Sequence, residues 1–209
     1  MGCDKVRVVA EKSEAMKLKE LVDISSGRTF KNGIPVSDDP THSVIQLRDV
    51  DTTNDLRPIR WEQLGKTNLS SSKVDNSLKL NDVLIVAKGS VKKAIYLDSV
   101  PKNIVANQHF FVLRVQTDKP LLPDFLAHYL NSSEAQRWMS DNAGGSYQSA
   151  ISKEILSKLP LPAIDLERQR LITEAANSIK KEMFLHQQLM KSREQDINAV
   201  FSNLWEDLK

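Results

Sequence analysis

Leu159-Pro160-Leu161-Pro162, with the run Ala163-Ile164-Asp165-Leu166-Glu167-Arg168-Gln169-Arg170-Leu171-Ile172 behind it, divides this 209-residue chain. Two prolines flanking one residue cannot continue a helix and favour an extended link. From Ala163 to Lys209 the sequence holds neither Pro nor Gly. Asp165 suits a helix N-cap, and Glu167 suits the positive end of the helix dipole. A helix from Asp165 to Leu208 would be about 65 Å long, more than a 160-residue globule covers. A heptad seam runs along it, with Ala176, Met183, Met190, Ile197 and Leu204 at a, and Ile172, Ile179, His186, Arg193 and Val200 at d. Eight of these ten are apolar, so a helical partner is expected. His186 and Arg193 interrupt the seam, and the pattern also fits a long surface helix packed on its own domain.

Upstream of the link the patterning is mixed. Leu18, Leu21 and Val22 suit a short amphipathic turn ended by Ser25-Ser26-Gly27. Val44–Arg48, Asp82–Ala87, Val91–Leu97 and His109–Val115 read as strands, the second as an almost continuous apolar run. The polar stretch between Asp51 and Lys79 suits loops and a short strand. Past Leu121 the period becomes helical: Pro123 and Asp124 open one helix, Ser132 or Ser133 caps a second, and Ser152 caps one more turn. The expected fold is α+β: a mixed α/β domain over residues 1–160, then a long helix over 161–209 forming a coiled-coil spacer.

Composition narrows the function classes. With 40% apolar residues the chain can bury a core, and no run of ~18 apolar residues suggests a membrane span. The N-terminal stretch lacks a signal peptide's apolar segment. The single cysteine, Cys3, permits neither an internal disulfide nor a Cys-based zinc site, so a reducing, cytoplasmic setting is expected. A sequence pI of about 8.6 permits nucleic-acid binding without arguing for it. Phosphate-binding Gly loops, zinc-protease motifs and a nucleophile elbow are missing, and the four histidines are scattered. Pro123-Asp124 matches half of a nuclease metal site, but its acid-x-Lys complement is Asp207-Leu208-Lys209 at a terminus. The sequence therefore gives no positive sign of an enzyme, a metal or a cofactor.

Polar, basic loops remain as candidate contacts. Lys88-Gly89-Ser90-Val91-Lys92-Lys93 joins two strands and puts three lysines and Ser90 around a glycine. Lysines contact phosphates, and glycine admits close backbone approach. The same residues also suit an ordinary solvated hairpin. Asn107-Gln108 carries amides of the kind that read adenine bidentately, or else simply hydrogen-bonds a strand entry. Ser146, Tyr147 and Gln148 lie in a Gly-led polar loop. Arg28 with Lys31, and Arg57 with Arg60, are basic loop pairs.

These segments, taken in order, resemble a known family. They run Gly27-Arg28-Thr29, Val44–Val50, Leu80-Asn81-Asp82-Val83-Leu84-Ile85, Gly89-Ser90, Asn107-Gln108-His109, Tyr129-Leu130-Asn131-Ser132, Ile151-Ser152, Leu159–Pro162 and Leu166–Ile172. The chain resembles the specificity (S) subunit of type I restriction–modification systems. The usual member carries two target-recognition domains and two long antiparallel helices, so this chain resembles a half-size subunit. The resemblance implies a non-catalytic, cytoplasmic homodimer that reads a symmetric bipartite site in double-stranded DNA. It also implies docking to methyltransferase (M) subunits that bind S-adenosylmethionine, and to restriction (R) subunits that use ATP. Other readings are a scaffold or regulator pairing its helix with another S subunit, and a metal-dependent nuclease built on Asp124.

Overall fold

A computed structural model describes residues 15–30, 33–35, 37–51, 56–69, 76–88, 92–143 and 150–206. In chain order the elements are β1 (Ala15–Lys17), β2 (Val22–Ser26), β3 (His42–Ile45), β4 (Gly65–Thr67), β5 (Val83–Val86), β6 (Ala94–Tyr96), β7 (Ile104–Ala106), β8 (Phe110–Val115), α1 (Pro123–Leu130), α2 (Ser133–Asn142), α3 (Lys153–Ser157), β9 (Pro160–Pro162) and α4 (Leu166–Glu206).

The β5 sequence Val83-Leu84-Ile85-Val86 explains the layering. Alternate residues of a strand face opposite sides, so a wholly apolar strand must be covered on both. Val83 and Ile85 join a core with Leu18, Leu113, Phe125, Leu126 and Met139 beneath α1, α2 and α3. Leu84 and Val86 join a second core with Ile45, Ile104, Phe110 and Val112. The central antiparallel sheet has the order β2-β8-β5-β6, and the smaller sheet has the order β4-β3-β7 with β3 and β7 parallel. Among the described residues the domain is thus three layers: helices, a four-stranded sheet and a three-stranded sheet.

Two local readings change. Val22–Ser26 is a strand rather than part of a helical turn, because inward Val22 and Ile24 alternate with exposed Asp23 and Ser25 along β8. Leu18–Glu20 alone keeps a helical, 3₁₀, form. The proline link is itself a strand: β9 pairs antiparallel with β1, Ala15 opposite Pro162. The expected division at residue 160 therefore falls inside a strand that ties β1 to the entry of the long helix. The short strand expected before Lys79 is β4, and Ser132 and Ser152 cap α2 and α3 as anticipated.

An ion pair between a buried carboxylate and a part-exposed guanidinium ties the start of β5 to β8. Asp82 is wholly buried and accepts from Arg114 Nε at 2.7 Å and Nη2 at 2.8 Å, and from the Lys79 N–H at 2.8 Å. The bidentate fork satisfies the buried carboxylate, while the guanidinium keeps contact with solvent.

The long helix starts where the sequence places it, with Asp165 Oδ1 accepting from the Arg168 N–H at 2.8 Å. Gln169, only 2% exposed, fixes it to the domain. Its Oε1 accepts from the Leu122 N–H at 2.8 Å, and its Nε2 donates to the Pro120 and Ile164 carbonyls, both at 2.9 Å. One amide thereby satisfies the first turn of α1 and the entry of α4. Asn177 adds a hydrogen bond to His128 of α1 at 2.9 Å. At 1.5 Å per residue α4 is about 60 Å long, and beyond Phe184 its described side chains are exposed.

Candidate nucleic-acid interface

The ends of β2, β5 and β8 meet at one rim of the central sheet, and backbone hydrogen bonds staple their loops together. The Gly27 N–H donates to Phe110 O at 2.9 Å, the Arg28 N–H to Ala106 O at 2.7 Å, and the Ala87 N–H to His109 O at 2.7 Å. Arg28 also bridges Asn107 in parallel fashion. The crossing is so close that a Cβ on Gly27 would lie 2.0 Å from Asn107 O. Here glycine is needed for space. The Ile151 N–H donates to Ala87 O at 3.0 Å, bringing the start of α3 to the same rim.

This geometry sorts the candidates. Arg28, Lys88, Asn107 and Gln108 come together, with Lys88 exposed and Arg28 and Gln108 part-exposed. The amides are engaged in shaping the rim. Asn107, 7% exposed, accepts from the His109 N–H at 3.1 Å, and Gln108 Oε1 accepts from the Phe30 N–H at 3.2 Å. Asn107 thus acts here as the hydrogen-bonded strand entry, while the free end of Gln108's amide is its NH₂.

The three hairpin lysines diverge, against the expectation of one cluster. Lys88 stands on the rim. Lys92 is 8% exposed, and burial pushes its ammonium below the usual value. Its carbonyl accepts from Gln136 Nε2 at 3.0 Å, which turns this residue towards α2 rather than towards an open surface. Lys93 lines a corner of about 270 Å³ between β6, α1 and α4, together with Tyr96, Asp124 and Lys180. Burial, and then the negative charges of Asp124 and Asp98, raise the Tyr96 phenol there.

Arg57 and Arg60 sit away from the rim, lining a cleft of about 480 Å³ along edge strand β6 with Trp61 and Asp98. Arg60 Nη2 pairs with Asp51 at 3.1 Å. Lys31, Ser90, Ser146, Tyr147 and Gln148 lie outside the described residues. Gln169 entered the sequence reading only as part of the Gln-x-x-Ile start of the long helix, with no clamping role; that it continues the a positions one heptad before Ala176, as a polar residue in that register, was the available signal. Among the described residues no group of His, Cys, Asp and Glu is placed to hold a metal, and no helix is long and apolar enough to cross a membrane.

A stapled rim bearing Arg28, Lys88 and Gln108, on a layered domain carried by a projecting helix, defines a recognition module on a stalk. Its family follows from comparison. The model described as the type I restriction modification DNA specificity domain matches residues 10–192, and the chain belongs to that family of DNA-recognition subunits. Comparison with curated proteins finds no match. Three solved structures share the fold. The HsdS subunit from Thermoanaerobacter tengcongensis is 20% identical with a TM-score of 0.56, the match covering 87% of this chain and 39% of that one. The type I restriction–modification S subunit from M. genitalium is 14% identical with a TM-score of 0.52, covering 83% and 41%. A chain from a structure titled for complex assembly and conformational transition of the type I system is 20% identical with a TM-score of 0.62, covering 93% and 45%. The chain spans less than half the length of each of these three proteins.

Proposed function

We propose that this chain is a half-size specificity subunit that homodimerises through α4, reads a symmetric, bipartite site in double-stranded DNA and docks adenine-methyltransferase subunits. The observation that carries the reading is the inverted polarity of α4. Its buried residues are Gln169 and Thr173, both polar, while Ile172, Ile179, Met183, Met190, Ile197, Val200 and Leu204 are each about half exposed or more. Seven large apolar side chains along one seam need a cover, and a second α4 supplies the matching surface. Ala176 is the exception: it is half-buried.

On this reading, two identical domains related by a two-fold axis read two identical half-sites. Phosphate contacts such as Lys88 supply affinity with steep salt dependence, and base-edge contacts from the rim supply sequence preference. S-adenosylmethionine and ATP belong to partner subunits. Light scattering tests the reading: the wild-type chain should have twice the monomer mass, and an Ile179→Glu/Ile197→Glu variant should be monomeric. A wild-type monomer throughout would refute it. Appearance of a dimer only on mixing with a longer specificity subunit would favour the scaffold reading.

A further inference from the structure

We propose that the rim reads guanine in the major groove, with the His109 imidazole donating through its Nε2–H to the acceptors on that base edge. This rests on the rim being the DNA-binding surface, and it adds which base that surface selects.

The two amides are poorly placed for adenine. Reading adenine bidentately takes an oxygen that accepts from N6 and an NH₂ that donates to N7. Asn107 is 7% exposed, and its Oδ1 accepts from the His109 N–H at 3.1 Å. Gln108 Oε1 accepts from the Phe30 N–H at 3.2 Å, so the group this side chain offers is its NH₂.

His109 supplies a further donor. Its backbone is held on both sides: the N–H donates to Asn107 Oδ1, and the carbonyl accepts from the Ala87 N–H at 2.7 Å. The ring is part-exposed, yet its Nδ1 is buried without a hydrogen-bond partner. Among the described residues nothing pairs with Nε2, and Nε2 is not buried, so it is the ring nitrogen open to a ligand. A neutral imidazole carries one N–H. Inside proteins an orphaned N–H is rarer than an under-used acceptor, and burying one forfeits its hydrogen bond to water. The proton therefore belongs on Nε2, while Nδ1 keeps a bare lone pair.

The rest of the rim has the same character. Lys88 is exposed, Arg28 is part-exposed, and both side chains only donate. No Asp or Glu occurs in Ser25–Phe30, Val86–Lys88 or Ala106–Phe110, the stretches that cross there. Carboxylates are the usual acceptors for cytosine N4, and amide oxygens for adenine N6. The hydroxyl of exposed Thr29 can serve either way. In the major groove guanine presents two acceptors, N7 and O6, and no donor. The N–H groups of His109 and Gln108 complement that edge, and Lys88 is left for the phosphates.

Selection from a randomised duplex pool by the full chain tests this. The enriched half-site should hold a guanine whose replacement by 7-deazaguanine, which lacks N7, weakens binding about tenfold. Inosine at that position keeps N7 and O6 and loses only the minor-groove amino group, so binding should hold. His109→Phe keeps a ring without a donor, and should remove the preference for guanine there with the unfolding midpoint unmoved. Nitrogen NMR of the wild-type ring should show the Nε2–H tautomer. Tolerance of 7-deazaguanine, an unchanged preference in His109→Phe, or an Nδ1–H tautomer would each overturn the proposal. A wild-type chain that enriches no sequence would refute the DNA-recognition reading itself, and this proposal with it.

Discussion

The recognition domain and the outer half of α4 obey opposite rules. In the domain, apolar side chains are enclosed on both faces of the central sheet, and the wholly buried carboxylate of Asp82 is matched by Arg114. On α4 the buried side chains are Gln169 and Thr173, while Leu189, Met190, Phe201 and Trp205 face outward. The domain is complete in one copy of the chain. The outer half of the helix leaves its apolar side chains uncovered by the domain. The hold of the domain on α4 is strongest at Gln169, whose amide is bound to three backbone groups, and fades through Asn177, hydrogen-bonded to His128, to Phe184, beyond which the described side chains are exposed.

If the domain is the self-sufficient part, it should fail first where its own backbone is crowded. Gly27→Ala forces a Cβ against Asn107 O at the rim, and should cost about 3 kcal/mol, seen as a lower midpoint in denaturant unfolding. An unchanged midpoint would mean that the staple is loose. The junction comes next. Gln169→Ala leaves the Leu122 N–H and the Pro120 and Ile164 carbonyls without their partner, and should cost about 2 kcal/mol. Its dimer should remain, since the seam is untouched. If dimerisation is lost with domain stability unchanged, the junction belongs to the helix rather than to the domain.

A smaller effect separates binding from folding. Lys88→Ala, on the exposed rim, should weaken DNA binding about equally for all sequences and reduce the salt slope by about one, with the unfolding midpoint unmoved. A change confined to sequence preference would make Lys88 a base reader. Lys92→Ala should act on stability instead, because Lys92 is buried.

The least effect is expected at the helix cap. The Arg168 N–H holds the Asp165 carboxyl below its ordinary value. A depressed carboxyl pKa contributes stability above the unfolded value of about 4, and that contribution is lost as pH falls through the folded value. Helicity followed by circular dichroism should therefore fall slightly in acid, and Asp165→Asn should remove that part of the slope. An unaltered acid slope would discount the cap.

Much of the fold was legible because periodicity reports burial. The doubly apolar β5 run, the Pro123 helix start, the Ser132 and Ser152 caps and the uninterrupted α4 all appear in the chain order expected. The Val22–Ser26 strand was misread because a five-residue stretch with two inward side chains fits a helical turn as well as a strand, and its partner β8 lies far away in sequence. The site was less legible. Lys88, Lys92 and Lys93 are near neighbours in sequence, but Lys88 is exposed at the rim, Lys92 is buried and Lys93 lines a corner with α1 and α4. Asn107 and Gln108 bear the amides of a base reader, but the crossing of Gly27 over Asn107 occupies part of that capacity in shaping the rim.

What the sequence by itself determined is local and periodic: a mixed α+β domain, an extended proline link, and a long helix whose apolar seam exceeds what its own domain covers. Those follow from steric and hydrophobic rules acting over a few residues. Only the tertiary structure decided that the boundary is a strand paired with β1, that a single amide at Gln169 clamps the helix, and which basic residues share a surface. These depend on contacts between residues far apart in sequence, which no local pattern encodes.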